Sequence, residues 1–177
     1  SCCQYGISKV IFAGINQVSG PASEGYRDFT CNTIGSAQIG SSEIITIFNS
    51  GSNNENVAVW IDWNNDGAFA DNELVLTSTA STSHGGNILI PGNAPAGVGL
   101  RMRVKSVSET EPITGACADM AFGQAEDDQI VLTGNNQPPQ TLFTASEVLS
   151  CNNTIQFIDT SFNAPTSWFW DFGDGTT

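Results

Sequence analysis

Short runs rich in β-branched residues, each bounded by turn-forming residues, recur along almost the whole chain of 177 residues. Val, Ile, Thr and aromatic residues favour extended strands, whereas Gly, Asn, Ser and Pro favour the turns between them. Many such runs at short spacing, with no helical periodicity of useful length, predict an all-β sandwich. The clearest predicted strands cover residues 43–48, 57–62, 73–77, 87–91, 99–107 and 128–133.

The charge balance excludes several classes of partner. Five Lys and Arg oppose eighteen Asp and Glu, which gives a formal net charge of −13. Nucleic acid and anionic lipid headgroups are bound through Lys and Arg, so neither is expected to bind here. No apolar run approaches the ~18 residues needed to span a bilayer, and we expect no membrane insertion. Cations are the more natural guests of such a chain.

The five cysteines are spaced unlike a C-x-x-C metal or redox motif. Neighbouring side chains on an extended segment point to opposite faces, so Cys2 and Cys3 are expected to bond to different partners. Cys31 and Cys117 are available, which predicts two disulfides and an extracellular or cell-surface location. Which cysteine pairs with which stays open, as does the partner of Cys151. The alternative is five free thiols in a cytosolic protein.

Segment 99–107 alternates apolar and basic residues. Three of the five basic residues of the chain fall on one face of the predicted strand: Arg101, Arg103 and Lys105. This face either binds an anion or forms ion pairs with carboxylates on a neighbouring strand. The second role is the commoner one for charges on a strand.

A linker is predicted where turn formers and a pair of prolines interrupt the strand pattern near residue 134. We expect a first domain over 1–134, a linker over 135–140 and a second unit over 141–177. The second unit alternates again, with Trp168, Trp170 and Phe172 at every second position. It is too short to bury these rings by itself, so we expect later residues or a neighbouring molecule to complete it.

An acidic loop follows the strand predicted over 57–62. Counted from the first acid, oxygen-bearing side chains fall at positions one, three, five and twelve: Asp62, Asn64, Asp66 and Glu73. With Gly67 at position six, this is the spacing of a calcium loop, in which alternate side chains converge on one Ca²⁺ ion. The carbonyl of Ala68 is a further candidate ligand, and Asp71 is a reserve ligand. The alternative is an ordinary Asn-Asp-Gly turn with incidental acids.

Aromatic and acidic residues supply a candidate ligand surface. Trp60 and Trp63 have opposite parity on an extended segment, so at most one of them faces the core, and an exposed ring suits stacking on a sugar. The candidate surface consists of Trp63, Tyr26, Glu126 and Asp127.

Catalysis is disfavoured by the residues available. His84 is the only histidine, so a zinc site with two histidine ligands cannot form, and we expect this residue in a turn. No G-x-S-x-G nucleophile motif is present. Carboxylates of Glu126 and Asp127 facing Asp28 would suit glycoside hydrolysis, but such a pair is nonspecific. We therefore expect no enzyme activity.

Four segments in this order resemble the GEVED domain, a β-sandwich module of secreted and cell-surface bacterial proteins: GINQVSGPASEGYRDFT, VWIDWNNDGAFADNE, APAGVGLRMRV and FGQAEDDQIVL. The family signature GEVEDY reads GQAEDD here, so Gln124 replaces an acid and Asp128 an aromatic residue, while Glu126 and Asp127 are kept. Residues 141–177, with the run WDFGDGT, resemble the first half of a PKD domain. The implied fold is a jelly-roll-like β-sandwich followed by a partial immunoglobulin-like β-sandwich.

These resemblances imply a passenger module of a large exported protein of Bacteroidetes-like bacteria, with further domains of the same polypeptide as partners. We expect a non-catalytic, calcium-stabilised module with a structural or adhesive role. Two alternatives stay open. One is a glycan-binding accessory module of a secreted hydrolase, which would contact surface glycans. The other is a subunit of an extracellular filament, which would contact neighbouring copies.

Overall fold

The computed structural model describes residues 4–20, 25–134, 141–145, 155–161, 165, 167–173 and 175. Their regular structure is a series of strands with one 3₁₀ turn at Asp71–Glu73. The strands are β1 Ile7–Phe12, β2 Ile15–Val18, β3 Tyr26–Asp28, β4 Ile34–Gln38, β5 Ser42–Asn49, β6 Glu55–Ile61, β7 Leu74–Ser81, β8 Ser83–Leu89, β9 Gly99–Ser108, β10 Gly123–Thr133, β11 Phe143–Ala145 and β12 Phe157–Asp159. The predicted all-β class is confirmed.

The chain divides into two compact units, Ser1–Thr133 and Gly134–Thr177. Each unit is described by itself. The predicted linker over 135–140 lies outside the described residues. Among the residues that the structure describes, no helix is long and apolar enough to cross a bilayer.

Two sheets make up the first unit. One is antiparallel and four-stranded, in the order β2, β1, β5, β8. The other runs β3, β10, β9, β6, β7, and β4 also pairs with β10. Strand β10 pairs in parallel with β3 and β4 and antiparallel with β9. It therefore has a neighbour on both edges along most of its length, which places an acidic segment in the middle of a sheet.

The core lies between the two sheets, where alternate side chains of facing strands meet. Ile45 and Ile47 of β5 pack with Val57 and Val59 of β6 and with Met102 of β9 in one cluster of fully buried residues. Each such side chain stabilises the fold by about 1.5 to 3 kcal/mol relative to an exposed one. This shared core makes the first unit a β-sandwich.

All six strands predicted from the sequence coincide with strands β5 to β10, although their ends differ. Strand β10 begins at Gly123 rather than at residue 128, and β8 begins at Ser83 rather than at residue 87. The earlier start of β8 corrects the expectation that His84 lies in a turn. Its ring is buried and contacts Asn49 Nδ2 at 3.1 Å and Ser78 Oγ at 2.8 Å.

The second unit has two short strands, β11 and β12, which pair antiparallel. Four rings contact one another beside them, with centroids 5.3 to 6.3 Å apart: Phe143, Phe157, Trp170 and Phe172. Residues 167–172 form no strand. The completion of this unit by other residues stays a prediction.

Candidate functional site

The acidic loop starts directly after β6, and its first acid is buried. Asp62 donates its backbone N–H to the carbonyl of Arg101 at 2.9 Å, which holds the loop to β9. Its carboxylate accepts the N–H groups of Asp66 at 3.1 Å and Gly67 at 3.0 Å. Gly67 has a φ of +85°, so a residue without a side chain is favoured at this turn.

The middle of the loop is exposed and bonded internally. Asn64 Oδ1 accepts the N–H of Asp66 at 3.0 Å, and Asn64 Nδ2 donates to Asp66 Oδ2 at 2.9 Å. Asp66 Oδ1 in turn accepts the N–H of Ala68 at 2.9 Å. These bonds fold residues 64–68 into successive tight turns.

The last acid of the loop closes it from inside the protein. Glu73 is only 2% exposed. Its Oε1 accepts the N–H of Trp63 at 2.9 Å and of Asn64 at 3.4 Å, and its Oε2 accepts the N–H of Ala70 at 2.9 Å. The two ends of the loop are therefore joined through one carboxylate.

These contacts test whether the loop fits a calcium ion. No group of three or more His, Cys, Asp or Glu residues suited to a metal is present in the described part of the chain. Asp62 and Glu73 direct their oxygens to backbone N–H groups. A carboxylate has about four lone-pair sites, so each keeps acceptor capacity. The exposed amide and carboxylate of Asn64 and Asp66 are the groups best suited to an ion, and Asp71 is exposed as well.

The inward side of β10 carries a polar network between the sheets. Gln124 Oε1 accepts the N–H of Ile7 at 3.0 Å, and Gln124 Nε2 donates to Glu126 Oε1 at 3.1 Å. On β6, Glu55 accepts the N–H of Gly6 at 3.0 Å and the hydroxyl of Ser106. Burial raises the pKa of Glu55 to about 6, although both hydrogen bonds oppose the rise. The network ties the start of β1 to the opposite sheet.

The outward side of β10 carries a bidentate ion pair. Arg103 donates from Nε to Asp127 Oδ1 at 2.7 Å and from Nη2 to Asp127 Oδ2 at 2.8 Å. The hydroxyl of Tyr26 donates to the same Oδ2 at 2.9 Å. The guanidinium lies over the rings of Phe69 and Tyr26, with centroid distances of 5.1 and 5.6 Å. The hydrogen bonds that Arg103 donates to Asp127 raise the pKa of its guanidinium group.

The basic face of β9 is thus satisfied within the protein. Arg103 forms an ion pair with a carboxylate on the neighbouring strand, as expected if the basic face pairs with carboxylates and does not bind an anion. Lys105 is buried and donates to the carbonyls of Gly115 and Ala118, and its burial lowers the pKa of its ammonium group. Arg101 is half exposed, and its Nε lies 3.8 Å from Asp127 Oδ2.

The candidate ligand surface is divided by the fold. Glu126 and Asp127 have no exposed surface, so they are not available for direct contact with a ligand. Tyr26 is half exposed, and Trp63 is partly buried against the core. Trp60 is buried in a separate cluster with Ala58 and Ala116.

The described cysteines lie at the surface. Cys31 and Cys117 are exposed, and each is a free thiol. Cys2, Cys3 and Cys151 lie outside the described residues. The predicted disulfides therefore stay a prediction.

Several residues of the buried network were missed by sequence analysis. Glu55 precedes an apolar run as an ordinary polar residue at the start of a strand would, and Gln124 stands out in the sequence only as the replacement of an acid. Ser106 gave no signal either. The one available sign was the strand pattern of residues 128–133, which could have been extended backwards through the acidic segment.

The chain, which contains this acidic loop and the paired residues of β9 and β10, can be compared with known protein families. Residues 56–130 match the GEVED domain. This domain is a small module found in multidomain proteins. The match runs from β6 into β10 and confirms the resemblance for that part of the chain, which is less than half of it. The resemblance of residues 141–177 to a PKD domain stays a prediction. Among curated proteins, no match to the chain was found.

Proposed function

We propose that the chain is a non-catalytic structural or adhesive module of a larger exported bacterial protein. The observation that carries this proposal is the use of the polar residues near the GEVED signature for internal bonds. Asp127 is engaged by Arg103 and Tyr26, and Gln124 is engaged by the start of β1. The only histidine is buried and hydrogen-bonded as well. Residues used in this way hold a scaffold together and leave no exposed acid–base pair among them.

Calcium stabilisation is the second part of the proposal. Asn64 and Asp66 would hold Ca²⁺ with their side-chain oxygens, supported by Asp62 and the carbonyl of Ala68. When bound, the ion neutralises the loop carboxylates and restrains a segment that is otherwise exposed. The low count of basic residues across the chain also favours a cation as the guest.

Thermal unfolding in calcium and in excess chelator tests this part. We expect the first unit to melt at a lower temperature in chelator, and Asp66→Ala to remove the difference. Glu109→Ala is the matched control, because Glu109 is an exposed acid outside the loop and should leave the calcium response unchanged. Superimposable melting curves of the native chain with and without chelator would rule out calcium stabilisation.

An extracellular location follows from the same proposal. The exposed thiols of Cys31 and Cys117 would bond to Cys2 and Cys3, and each bond would stabilise the fold by about 3 to 5 kcal/mol in the chain-entropy description. Peptide mapping of the non-reduced, exported protein would identify the pairs. Four free thiols in that protein would contradict both the bonds and the location.

A further inference from the structure

A cleft borders the acidic loop at Trp63, Asn64 and Asn72. One wall is the loop itself, with Trp63 and Asn72, and the other is the connection between β8 and β9, with Asn93. Two prolines, Pro91 and Pro95, line the second wall. The cavity volume is about 440 Å³, which falls within the ~300 to 1,000 Å³ of small-molecule sites.

Three of the side chains that line this cleft are uncharged and carry polar groups available to a ligand: Trp63, Asn72 and Asn93. Asn72 and Asn93 are exposed, and Trp63 is partly exposed. Within the described residues, neither the two side-chain amides nor the indole N–H forms a hydrogen bond. Each amide supplies two donors and a carbonyl acceptor, and the indole supplies one donor. No Lys or Arg lines the cleft, so an anion would find no countercharge.

The aromatic wall is held in place by a buried group. Glu73 also lines the cleft, but its carboxylate accepts hydrogen bonds from the backbone N–H groups of residues 63, 64 and 70. The side chain of Trp63 packs against the core cluster of the first unit. The indole is therefore fixed before any ligand arrives, which lowers the entropy cost of binding.

A fixed indole beside unengaged amides suits a sugar. The C–H face of a pyranose ring packs on an aromatic surface, and its hydroxyl groups pair with amide donors and acceptors. We propose that the cleft formed by Trp63, Asn72 and Asn93 binds a neutral carbohydrate chain. The inference rests on the non-catalytic role proposed above, and it supplies the ligand through which an adhesive module would act.

Isothermal titration calorimetry of the full chain tests the site with four neutral hexaoses: β-1,4-glucan, β-1,3-glucan, β-1,4-mannan and β-1,4-xylan. We expect at least one hexaose to bind. Trp63→Ala should weaken that binding at least tenfold, and the double variant Asn72→Ala with Asn93→Ala should do the same. Trp168→Ala is the matched control, because Trp168 is an exposed tryptophan that does not line this cleft, and it should leave affinity unchanged.

The double amide variant keeps the test decisive if loss of Trp63 unfolds the domain, because both amides are exposed and unbonded. Absence of binding to all four hexaoses overturns the proposal. So does binding that the double variant leaves unchanged. A reducing-end assay run on the same mixtures separates the two levels of inference. Cleavage of a bound hexaose would refute the non-catalytic role while leaving the carbohydrate site in place.

Discussion

At the scale of single residues, Asp128 is the least conventional feature of the fold. Both of its carboxylate oxygens are buried and lack a hydrogen-bond partner within the described residues. It lies on the inward side of β10, opposite Met102 of β9. Burial raises its pKa to about 7, and the carboxylates of Asp127 and Asp28 add to the rise. Asp128 is therefore largely protonated in mildly acidic solution.

The stability of the first unit should consequently depend on pH. An unfolded Asp has a pKa near 3.9, so the folded state binds the proton more tightly, and the free energy of unfolding falls as pH rises from about 4 to about 7. The full effect is about 4 kcal/mol. Glu55, with its pKa raised to about 6, contributes with the same sign.

Asp128→Asn isolates this contribution, because the amide has the same shape and no charge. Between pH 5 and pH 8 we expect the free energy of unfolding of the native chain to fall by about 3 kcal/mol more than that of the variant, measured by urea unfolding. Asp119→Asn, at an exposed position, is the control and should follow the native profile. Parallel profiles for Asp128→Asn and the native chain would show that Asp128 does not titrate in this range.

The pair of Arg103 and Asp127 makes a second prediction at this scale. Arg103→Met leaves a fully buried carboxylate with only Tyr26 as donor, so we expect the free energy of unfolding to fall by about 3 to 5 kcal/mol. Arg101→Met is the matched control. Its guanidinium is half exposed and only 3.8 Å from the same carboxylate, so the cost should stay below about 1 kcal/mol. Equal costs in chemical unfolding would contradict the special role of Arg103.

At the scale of elements, the acidic loop depends on Glu73 as a cap. Glu73→Ala leaves the backbone N–H groups of Trp63 and Ala70 without their partner, and we expect a loss of about 2 to 4 kcal/mol. Asp71→Ala, in the same 3₁₀ turn but exposed, should cost less than about 0.5 kcal/mol.

Both variants are best measured in excess chelator, because a capping role does not need a metal. A loss for Glu73→Ala that appears only in the presence of calcium would instead identify Glu73 as a ligand. The same experiment therefore distinguishes the cap seen in the structure from the twelfth-position ligand predicted by the sequence.

At the scale of the whole molecule, the two units differ in how well they bury apolar surface. The core cluster of the first unit consists entirely of residues between Ile7 and Leu132, so this unit should fold by itself. In the second unit, Phe143, Trp168, Phe169 and Phe172 are each more than half exposed. Apolar surface of this extent promotes association.

We therefore expect a chain ending at Thr133 to unfold cooperatively at the same temperature as the first transition of the full chain. The full chain should bind more of a hydrophobic dye and should self-associate at lower concentration. Calorimetry, dye fluorescence and sedimentation measure these properties. A shorter chain that fails to fold, or a full chain with no extra dye binding, would contradict this division of the molecule.

Strand existence could be predicted because it depends on local alternation. Residues 99–107 alternate between apolar and basic side chains, and β9 places the two sets on opposite faces of one sheet. The acidic segment before residue 128 could not be predicted as buried strand. Its composition is typical of exposed segments, and its partners are distant in sequence: Gln124 bonds to an N–H 117 residues away, and Glu55 to one 49 residues away.

By itself, the sequence determined an all-β chain, a tight acidic loop between two strands and the residues that resemble a GEVED domain. Only the tertiary structure decided which polar side chains are buried. Trp60 and Lys105 are covered by residues 113–118, and Asp127 is covered by Arg103 and Tyr26. Glu126 and Asp127, which the sequence suggests as part of a ligand surface, are therefore buried inside the protein. Asn72 and Asn93 are exposed near Trp63. The physical reason is that alternation assigns a residue to a face of a strand, whereas burial depends on what covers that face.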